Sequence, residues 1–287
     1  MLNTEVRSKI IRRLNTSWRE AGVRGKPILF FCHGFPDSAE TWSQQMDFFA
    51  KDFHVVAPFV RGCEDSELGK DVKRYGRDAV VLDHLEILRE ISEGSEPVIC
   101  IGHDLGVVHA MTLARRLGSR AVGLVVINGL DLEMFARRLR LGSQVMKSWY
   151  MGLMQVPLLP EALASLAPNT SQWLVRKLAG EDFKSDGSSD FSRRSLGPLN
   201  QYRAFAREAL TTNMESSRLK APVLVLWGRD DGVLLVPTQA EWDRVAFQST
   251  IRIIPGGHWI HRECAADVTK FISSFVRQVL GSSHVDA

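Results

Sequence analysis

What this 287-residue chain lacks narrows its class first. No apolar stretch reaches the ~18 to 20 residues that a membrane-spanning helix requires. The opening residues Met1-Leu2-Asn3-Thr4-Glu5-Val6-Arg7 carry no apolar signal core. Neither a membrane span nor a secretory leader is therefore expected, and a cytoplasmic location follows. Cysteine is scarce. Cys32, Cys63, Cys100 and Cys264 have neither metal-ligand nor disulfide-framework spacing, and all four are expected to be reduced. The arginines fall in short pairs, Arg12-Arg13, Arg115-Arg116 and Arg137-Arg138, with no long basic run behind the net charge of +3. Solvated helix faces account for such pairs, so nucleic acid is not an expected partner. No internal repeat is present. What remains is ordinary: 45% hydrophobic and 24% charged residues, enough apolar side chain for a well-buried core rather than disorder.

Apolar periodicity sets the order of elements. Two short strands, around Val6 to Arg13 and Leu14 to Glu20, precede the buried-strand run Ile28-Leu29-Phe30-Phe31-Cys32. A helix from about Glu40 to Phe49, a strand His54-Val55-Val56-Ala57-Pro58 and a helix from about Arg77 to Ile91 follow. The run Pro97 to Ile101 reads as a strand, Val107 to Leu117 as a helix and Ala121 to Ile127 as another strand. This alternation implies a mostly parallel sheet covered on both faces. From about Asp131 to Ser217 the pattern breaks into Leu-, Met- and Arg-rich helical spacing, and strands return at Val223 to Trp227 and Thr250 to Ile254 before a final helix, Ala266 to Leu280. The expected organisation is a core of residues 1–130 and 218–287 interrupted by a helical insertion over 131–217.

The most informative segment is Gly102-His103-Asp104-Leu105-Gly106, entered from a strand and left by a helix. That is a nucleophile elbow with Asp in the place that Ser holds in the G-x-S-x-G pattern. A carboxylate is already ionised at neutral pH, whereas a serine hydroxyl must be activated by a base. It suits attack on a strained or polarised sp³ carbon bearing a leaving group. The alkyl-enzyme ester that results must then be cleaved by water, which points to a hydrolase of C–O or C–halogen bonds.

Turnover of such an ester needs a base for water and an acid to orient the base. His258, in Gly256-Gly257-His258-Trp259, and Asp231, just after the strand ending at Trp227-Gly228, follow in the chain order nucleophile, acid, histidine. All three lie at carboxyl ends of strands, where open α/β sheets place their sites. The backbone N–H groups of Leu105 and of Phe35, in His33-Gly34-Phe35-Pro36, are the candidate oxyanion donors. Each motif alone is weak, since G-x-D-x-G can be a tight turn and most histidines are structural. Asp230 adjoins Asp231, and Asp131 offers an alternative acid after the strand ending at Ile127. His103 reads as a packed residue, His84 and His109 as helix residues without metal spacing, and His261 as solvent-facing.

Together these motifs resemble those of epoxide hydrolases of the α/β-hydrolase superfamily, from about Gly25 to Val279. The residues carrying the resemblance are His33-Gly34-Phe35-Pro36, Gly102-His103-Asp104-Leu105-Gly106, Asp231-Gly232-Val233-Leu234 and Gly257-His258-Trp259. The resemblance implies an α/β-hydrolase core with an inserted helical cap, and two cap tyrosines whose hydroxyls polarise the epoxide oxygen. Tyr150, ahead of Gln155-Val156-Pro157 and Glu161, and Tyr202, in Leu199-Asn200-Gln201-Tyr202-Arg203, match those places, although the chain has only three tyrosines. It implies, too, that His33, Pro36 and Trp259 border the substrate and that no cofactor or metal takes part.

Two departures shape the expected substrate. Epoxide hydrolases and haloalkane dehalogenases commonly have Trp after the nucleophile, where this chain has Leu105. The arginines with which fluoroacetate dehalogenases hold a carboxylate are replaced by Leu105, Val107 and Val108. The pocket floor is therefore expected to be apolar and uncharged, suited to a hydrophobic epoxide, with water as co-substrate and a vicinal diol as product. A haloalkane or haloacetate dehalogenase of the same mechanism, and a non-catalytic ligand-binding protein on this fold, stay open as alternatives. The oligomeric state is likewise open, a homodimer included.

Overall fold

The computed structural model describes residues 5–11, 14–63, 66, 71–142, 150–156, 159–160, 162, 191–211 and 217–282. Its centre is an eight-stranded sheet, formed by β1 (Glu5–Ile11), β2 (Leu14–Gly22), β3 (Ile28–Cys32), β4 (His54–Pro58), β5 (Val98–His103), β6 (Ala121–Ile127), β7 (Val223–Gly228) and β8 (Ser249–Ile254). The order across the sheet is β1-β2-β4-β3-β5-β6-β7-β8. From β4 to β8 every pairing is parallel, whereas β2 runs antiparallel to β4 and β1 antiparallel to β2. The mostly parallel α/β sheet expected from the alternating pattern is the one observed.

Strands β3, β4 and β5 are buried along their whole length, which is why they read as unbroken apolar runs instead of alternating ones. Residues of opposite parity serve opposite faces. Leu29, Phe31, Val55, Ile99, Ile101 and Val125 pack with Phe49 of α1 (Ser43–Phe49) and with Val268, Ile272 and Val276 of α9 (Ala265–Ser282). Ile28, Phe30, Cys100, Leu124 and Val126 pack with Val81 and Leu88 of α2 (Arg77–Ile91) and with Val107 and Met111 of α3 (Leu105–Leu117). Each face thus buries a separate apolar cluster, the main source of stability in a sheet of this kind.

Between β6 and β7 the described elements are all helices: α4 (Leu132–Arg140), α5 (Tyr150–Gln155) and α6 (Phe191–Thr211). Helix α6 packs on α4, on α5 and on the short 3₁₀ turn Val72–Tyr75 that precedes α2. Its Glu208 accepts hydrogen bonds from the Arg77 N–H at 3.0 and 3.3 Å, capping α2, whose own N-cap residue is Gly76 and has no side chain to do so. Arg203 donates to the carbonyls of Met154 and Val156 at 2.9 and 3.2 Å, tying α6 to the end of α5. The last helices are α7 (Gln239–Val245), the short α8 (Ile260–Glu263) and α9.

Several expectations are corrected. Helix α3 starts at Leu105, immediately after Asp104, not at Val107. Helix α7 falls where no helix was expected, although Thr238 and Glu241 form a capping box there. The arginine pairs are not simply solvated: Arg138 is buried and clamps Glu241 of α7 at 2.7 Å through both Nε and Nη2, and Arg115 reaches Asp131 at 2.9 Å. Arg116 is exposed and pairs with Asp78, as a surface helix residue would, while Arg12-Arg13 lies outside the described residues. All four cysteines are free, Cys32, Cys63 and Cys100 being buried. Among the described residues no helix is long and apolar enough to cross a membrane.

Candidate active site

Sheet order places the site. The chain leaves β3 toward β4 on one side and leaves β5 toward β6 on the other, so a crevice opens above the carboxyl ends of β3 and β5. The loop after β3 carries His33 to Ser38, and the turn after β5 carries Asp104.

Asp104 lies between strand and helix with φ +51° and ψ −124°, a region that a residue with a side chain enters only under strain. Close packing enforces it. A Cβ on Gly106 would lie 2.2 Å from the Cys32 carbonyl oxygen, so only glycine lets the start of α3 press against β3. On the other side, a Cβ on Gly34 would stand 2.5 Å from the Asp104 Cβ. That approach delivers the Phe35 N–H, which donates to Asp104 Oδ2 at 2.9 Å. Leu105 supplies the first N–H of α3, a donor with no partner earlier in the helix.

Asp104 Oδ1 is 3.6 Å from Nε2 of His258, whose Nδ1 is 2.9 Å from Asp231 Oδ2. His258 and Asp231 are buried in the loops after β8 and β7. Asp231 accepts from Val233 N–H at 2.7 Å and Leu234 N–H at 2.9 Å on Oδ1, and from His258 and the Asn128 amide, the latter at 2.7 Å, on Oδ2. Burial pushes the Asp231 and Asp104 carboxyls up, but the His258 charge and these hydrogen bonds outweigh it and hold both below the usual carboxylate range. Burial alone would depress His258. The Asp231 charge, with Asp104 beside it, instead pushes the imidazole up to about 10. The two carboxylates thus favour the protonated form of the imidazole.

A buried frame holds the two loops together. His103 Nε2 donates to the His258 carbonyl at 3.0 Å. Asp37 accepts from the Trp259 indole N–H at 2.7 Å and from the Thr41 hydroxyl at 3.2 Å. Burial raises the Asp37 carboxyl to about 6, against Arg262 and these donors. Glu263 accepts from the N–H groups of Gly257 and Trp259 at 2.6 and 3.3 Å. His261 is fully buried, with Nε2 2.7 Å from the Thr41 hydroxyl and its ring 4.2 Å from that of His103. The solvent-facing His261 expected from its loop is thus corrected; the flanking Trp42 and His103 rings cover it.

The structure brings Asp104, His258, Asp231 and the Phe35 N–H together. Tyr202, buried on α6, packs its ring 5.3 Å from that of Phe35, next to the nucleophile turn. Tyr150 opens α5, but its side chain lies outside the described residues, as does Glu161. His33 and Trp259, the expected substrate neighbours, are both buried and hydrogen-bonded within the protein. His33 Nδ1 donates to the Gly34 carbonyl at 3.0 Å, and its Nε2 accepts from the Val60 N–H at 3.2 Å; Trp259 braces Asp37. Pro36 is half-buried beside Phe35. Asp131 caps α4, accepting from the Leu132 N–H at 2.8 Å, and pairs with Arg115, so it is committed away from His258. Asp230 is exposed. Leu105, Val107 and Val108 are buried and apolar as expected. A cavity with room for about one water nevertheless abuts Leu105 and Val108 and is also lined by His109, Gln201 and Glu208. The surroundings of Leu105 are thus more polar than the sequence suggested.

Asn128, Asp37 and Glu263 were not anticipated. Asn128 follows an unbroken apolar strand, the only signal that could have marked it; Asp37 announces itself through its contact with the distant Trp259, whereas Glu263 closes a local loop onto Gly257 and Trp259.

With the geometry in hand, the chain can be compared with known proteins. A model described as "Alpha/beta hydrolase family" matches residues 29–271. Epoxide hydrolase 3 of Xenopus tropicalis is 28% identical over 276 residues, covering 90% of this chain and 73% of that protein. Epoxide hydrolase 4 of Homo sapiens is 29% identical over 276 residues, covering 90% and 74%. Among solved structures, an inhibitor complex of a Bacillus megaterium epoxide hydrolase superposes with a TM-score of 0.78 at 25% identity, covering 94% of this chain and all of that one.

Proposed function

From the premise that the chain belongs to the alpha/beta hydrolase family, we propose that it is an epoxide hydrolase that converts an apolar epoxide to a vicinal diol through an ester on Asp104. The observation that carries the reading is an aspartate at the strained strand-to-helix turn, with a backbone N–H on one oxygen and His258 facing the other. Epoxide hydrolases among the relatives favour an epoxide over a haloalkane. The stretch 131–217 serves as the cap that closes over the substrate.

In the first half-reaction Asp104 Oδ1 attacks an epoxide carbon, and the carbon–oxygen bond of the ring breaks. Tyr202 and Tyr150 donate to the departing oxygen, one phenol giving up its proton, because an alkoxide is a poor leaving group unless charge is met as it develops. Esterification removes one of the two negative charges that hold the proton on His258. The imidazole then loses that proton, which balances the one the phenol must regain. Neutral His258 is now a base.

In the second half-reaction His258 takes a proton from water, and the hydroxide attacks Asp104 Cγ. The Phe35 and Leu105 N–H groups stabilise the tetrahedral oxyanion, and Asp231 stabilises the imidazolium. The bond from Cγ to the alkoxy oxygen breaks, His258 returns the proton to that oxygen, the diol leaves, and the new Asp104 carboxyl passes its own proton to His258, restoring the starting charge state. The diol thus keeps an oxygen that began on Asp104.

The test is a panel of styrene-like, fatty-acyl and terpene epoxides with intact-protein mass spectrometry. Wild type turns over at least one, Asp104→Ala turns over none, and His258→Gln accumulates an ester of substrate mass on the Asp104 peptide. Tyr202→Phe slows ester formation by about 100-fold or more, within the range of roughly 10²- to 10⁴-fold for one positioned proton donor. An ester formed with halide release from haloalkanes but not from epoxides, or no ester on Asp104 at all, contradicts the reading.

A further inference from the structure

We propose that Asn128 is a positioning residue of the hydrolytic half-reaction, holding the Asp231 carboxylate and fixing the two loops that present Asp231 and His258. The inference rests on the roles given to those residues above.

Asn128 directly follows β6, is fully buried, and has φ +41°, a left-handed conformation that asparagine tolerates better than most side-chain-bearing residues. Its backbone N–H donates to the Leu226 carbonyl at 3.1 Å, which anchors it to β7. Its side-chain amide is then wholly turned toward the acid–base pair. Nδ2 donates to Asp231 Oδ2 at 2.7 Å and to the Gly257 carbonyl at 3.3 Å, while Oδ1 accepts from the Gly228 N–H at 3.2 Å. Only one orientation of the amide satisfies these partners, because a carboxylate and a carbonyl need donors and an N–H needs an acceptor.

The three contacts lie where the geometry is tightest. A Cβ on Gly228 would fall 1.9 Å from the Gly257 oxygen, so the loops leaving β7 and β8 cross in direct contact there. Asn128 bridges that crossing from the next strand. Its bond to Oδ2 lands on the same oxygen that accepts from His258 Nδ1. Without Nδ2, that oxygen loses a short hydrogen-bond donor, the Gly228 N–H loses its acceptor in a buried place, and the carbonyl before His258 loses a donor. The amide does not touch the Asp104 carboxylate, whose described partners are Phe35 and His258, although the Asp104 N–H donates to the carbonyl of Ile127, next to Asn128, at 3.2 Å. Asn128 should therefore matter to ester hydrolysis far more than to ester formation.

The experiment separates the half-reactions by single-turnover kinetics with styrene oxide, or the panel epoxide that wild type converts fastest, in the full chain. Asn128→Gly keeps the positive φ and deletes the amide. It should slow ester hydrolysis about 10- to 100-fold, the range for a lost hydrogen bond to a charged group, with ester formation changed less than about threefold and the ester accumulating. Asn128→Asp places two carboxyl groups together, and such pairs share a proton. Protonated, the new carboxyl donates to Asp231 much as the amide does; ionised, it repels it. The titratable groups around this pair are His258, Asp104, His103 and, through Gly257, Glu263. Hydrolysis in this variant should recover as pH falls and fail as it rises, a trend absent from wild type. Asn128→Gly with wild-type hydrolysis, or with both half-reactions slowed together, overturns the inference, as does an Asn128→Asp profile matching wild type. If Asn128→Gly does not fold, the Asn128→Asp profile decides. A His258→Gln control that accumulates no ester would instead remove the reading on which the inference stands.

Discussion

The approach of Gly34 to Asp104 can be tested by adding one methyl group. In Gly34→Ala the new Cβ would sit 2.5 Å from Asp104 Cβ, 2.7 Å from Asp104 Oδ2 and 2.7 Å from the His103 carbonyl oxygen. Ordinary carbon contacts lie at roughly 3.5 to 4.0 Å, so something must move by about 1 Å. None of the three atoms belongs to a long flexible side chain that could swing aside. If the loop retreats, the Phe35 N–H leaves Oδ2, now 2.9 Å away; if Asp104 yields, its alignment with His258 at 3.6 Å is lost. A displacement of that size costs on the order of 100-fold in rate, as does removal of one oxyanion donor. Overpacking should also cost about 1 to 3 kcal/mol of stability. The assay is kcat for epoxide hydrolysis beside circular dichroism and thermal unfolding. Gly281→Ala is the control: nothing lies within 4 Å of its added Cβ, so activity should hold. A folded Gly34→Ala protein with wild-type kcat would refute the packing of this loop against the nucleophile turn.

Two further outcomes follow from the charge arrangement. His258 is held up at about 10, above the ordinary histidine value, so between those values the folded state binds a proton that the unfolded chain releases. Its contribution to stability is complete below the unfolded value and is lost as pH rises through about 10. Melting temperature should therefore fall across that window, and His258→Gln should flatten the decline; a slope unchanged by that substitution would contradict the ion-pair picture. Arg138→Met should cost roughly 2 to 3 kcal/mol in urea unfolding, below the range for a fully buried pair because the Glu241 side chain keeps 23% of its exposure. No measurable loss would mean that the α4 to α7 clamp is dispensable.

The parts of the molecule legible in the sequence are those set by local rules. The runs Ile28 to Cys32 and Val98 to His103 are buried on both sides, so their apolar continuity announced parallel strands. The glycines around Asp104 and the chain order of Asp231 and His258 pointed to a turn and two loops that the fold does bring together. What was hidden depends on pairing between distant segments. Sheet order decides which loops become neighbours, and that alone puts Asn128 against Asp231 and Asp37 against Trp259. His261 looked solvent-facing because its loop is short and polar, yet Trp42 and Thr41, more than two hundred positions away, cover it. Arg138 likewise finds Glu241 across a gap of 103 positions, a distance no periodicity spans. Helix α7 was within reach, since Thr238 and Glu241 carry the capping-box signature; its few apolar positions concealed it.

The central claim is that Asp104 gives one of its own oxygens to the product. A single turnover of unlabelled enzyme in water enriched in heavy oxygen tests it, with mass spectrometry of both the diol and the Asp104 peptide. The account predicts an unlabelled diol from that first round and one heavy oxygen in Asp104. A first-round diol carrying solvent oxygen, with Asp104 unlabelled, would mean that water attacks the epoxide directly and that no ester forms.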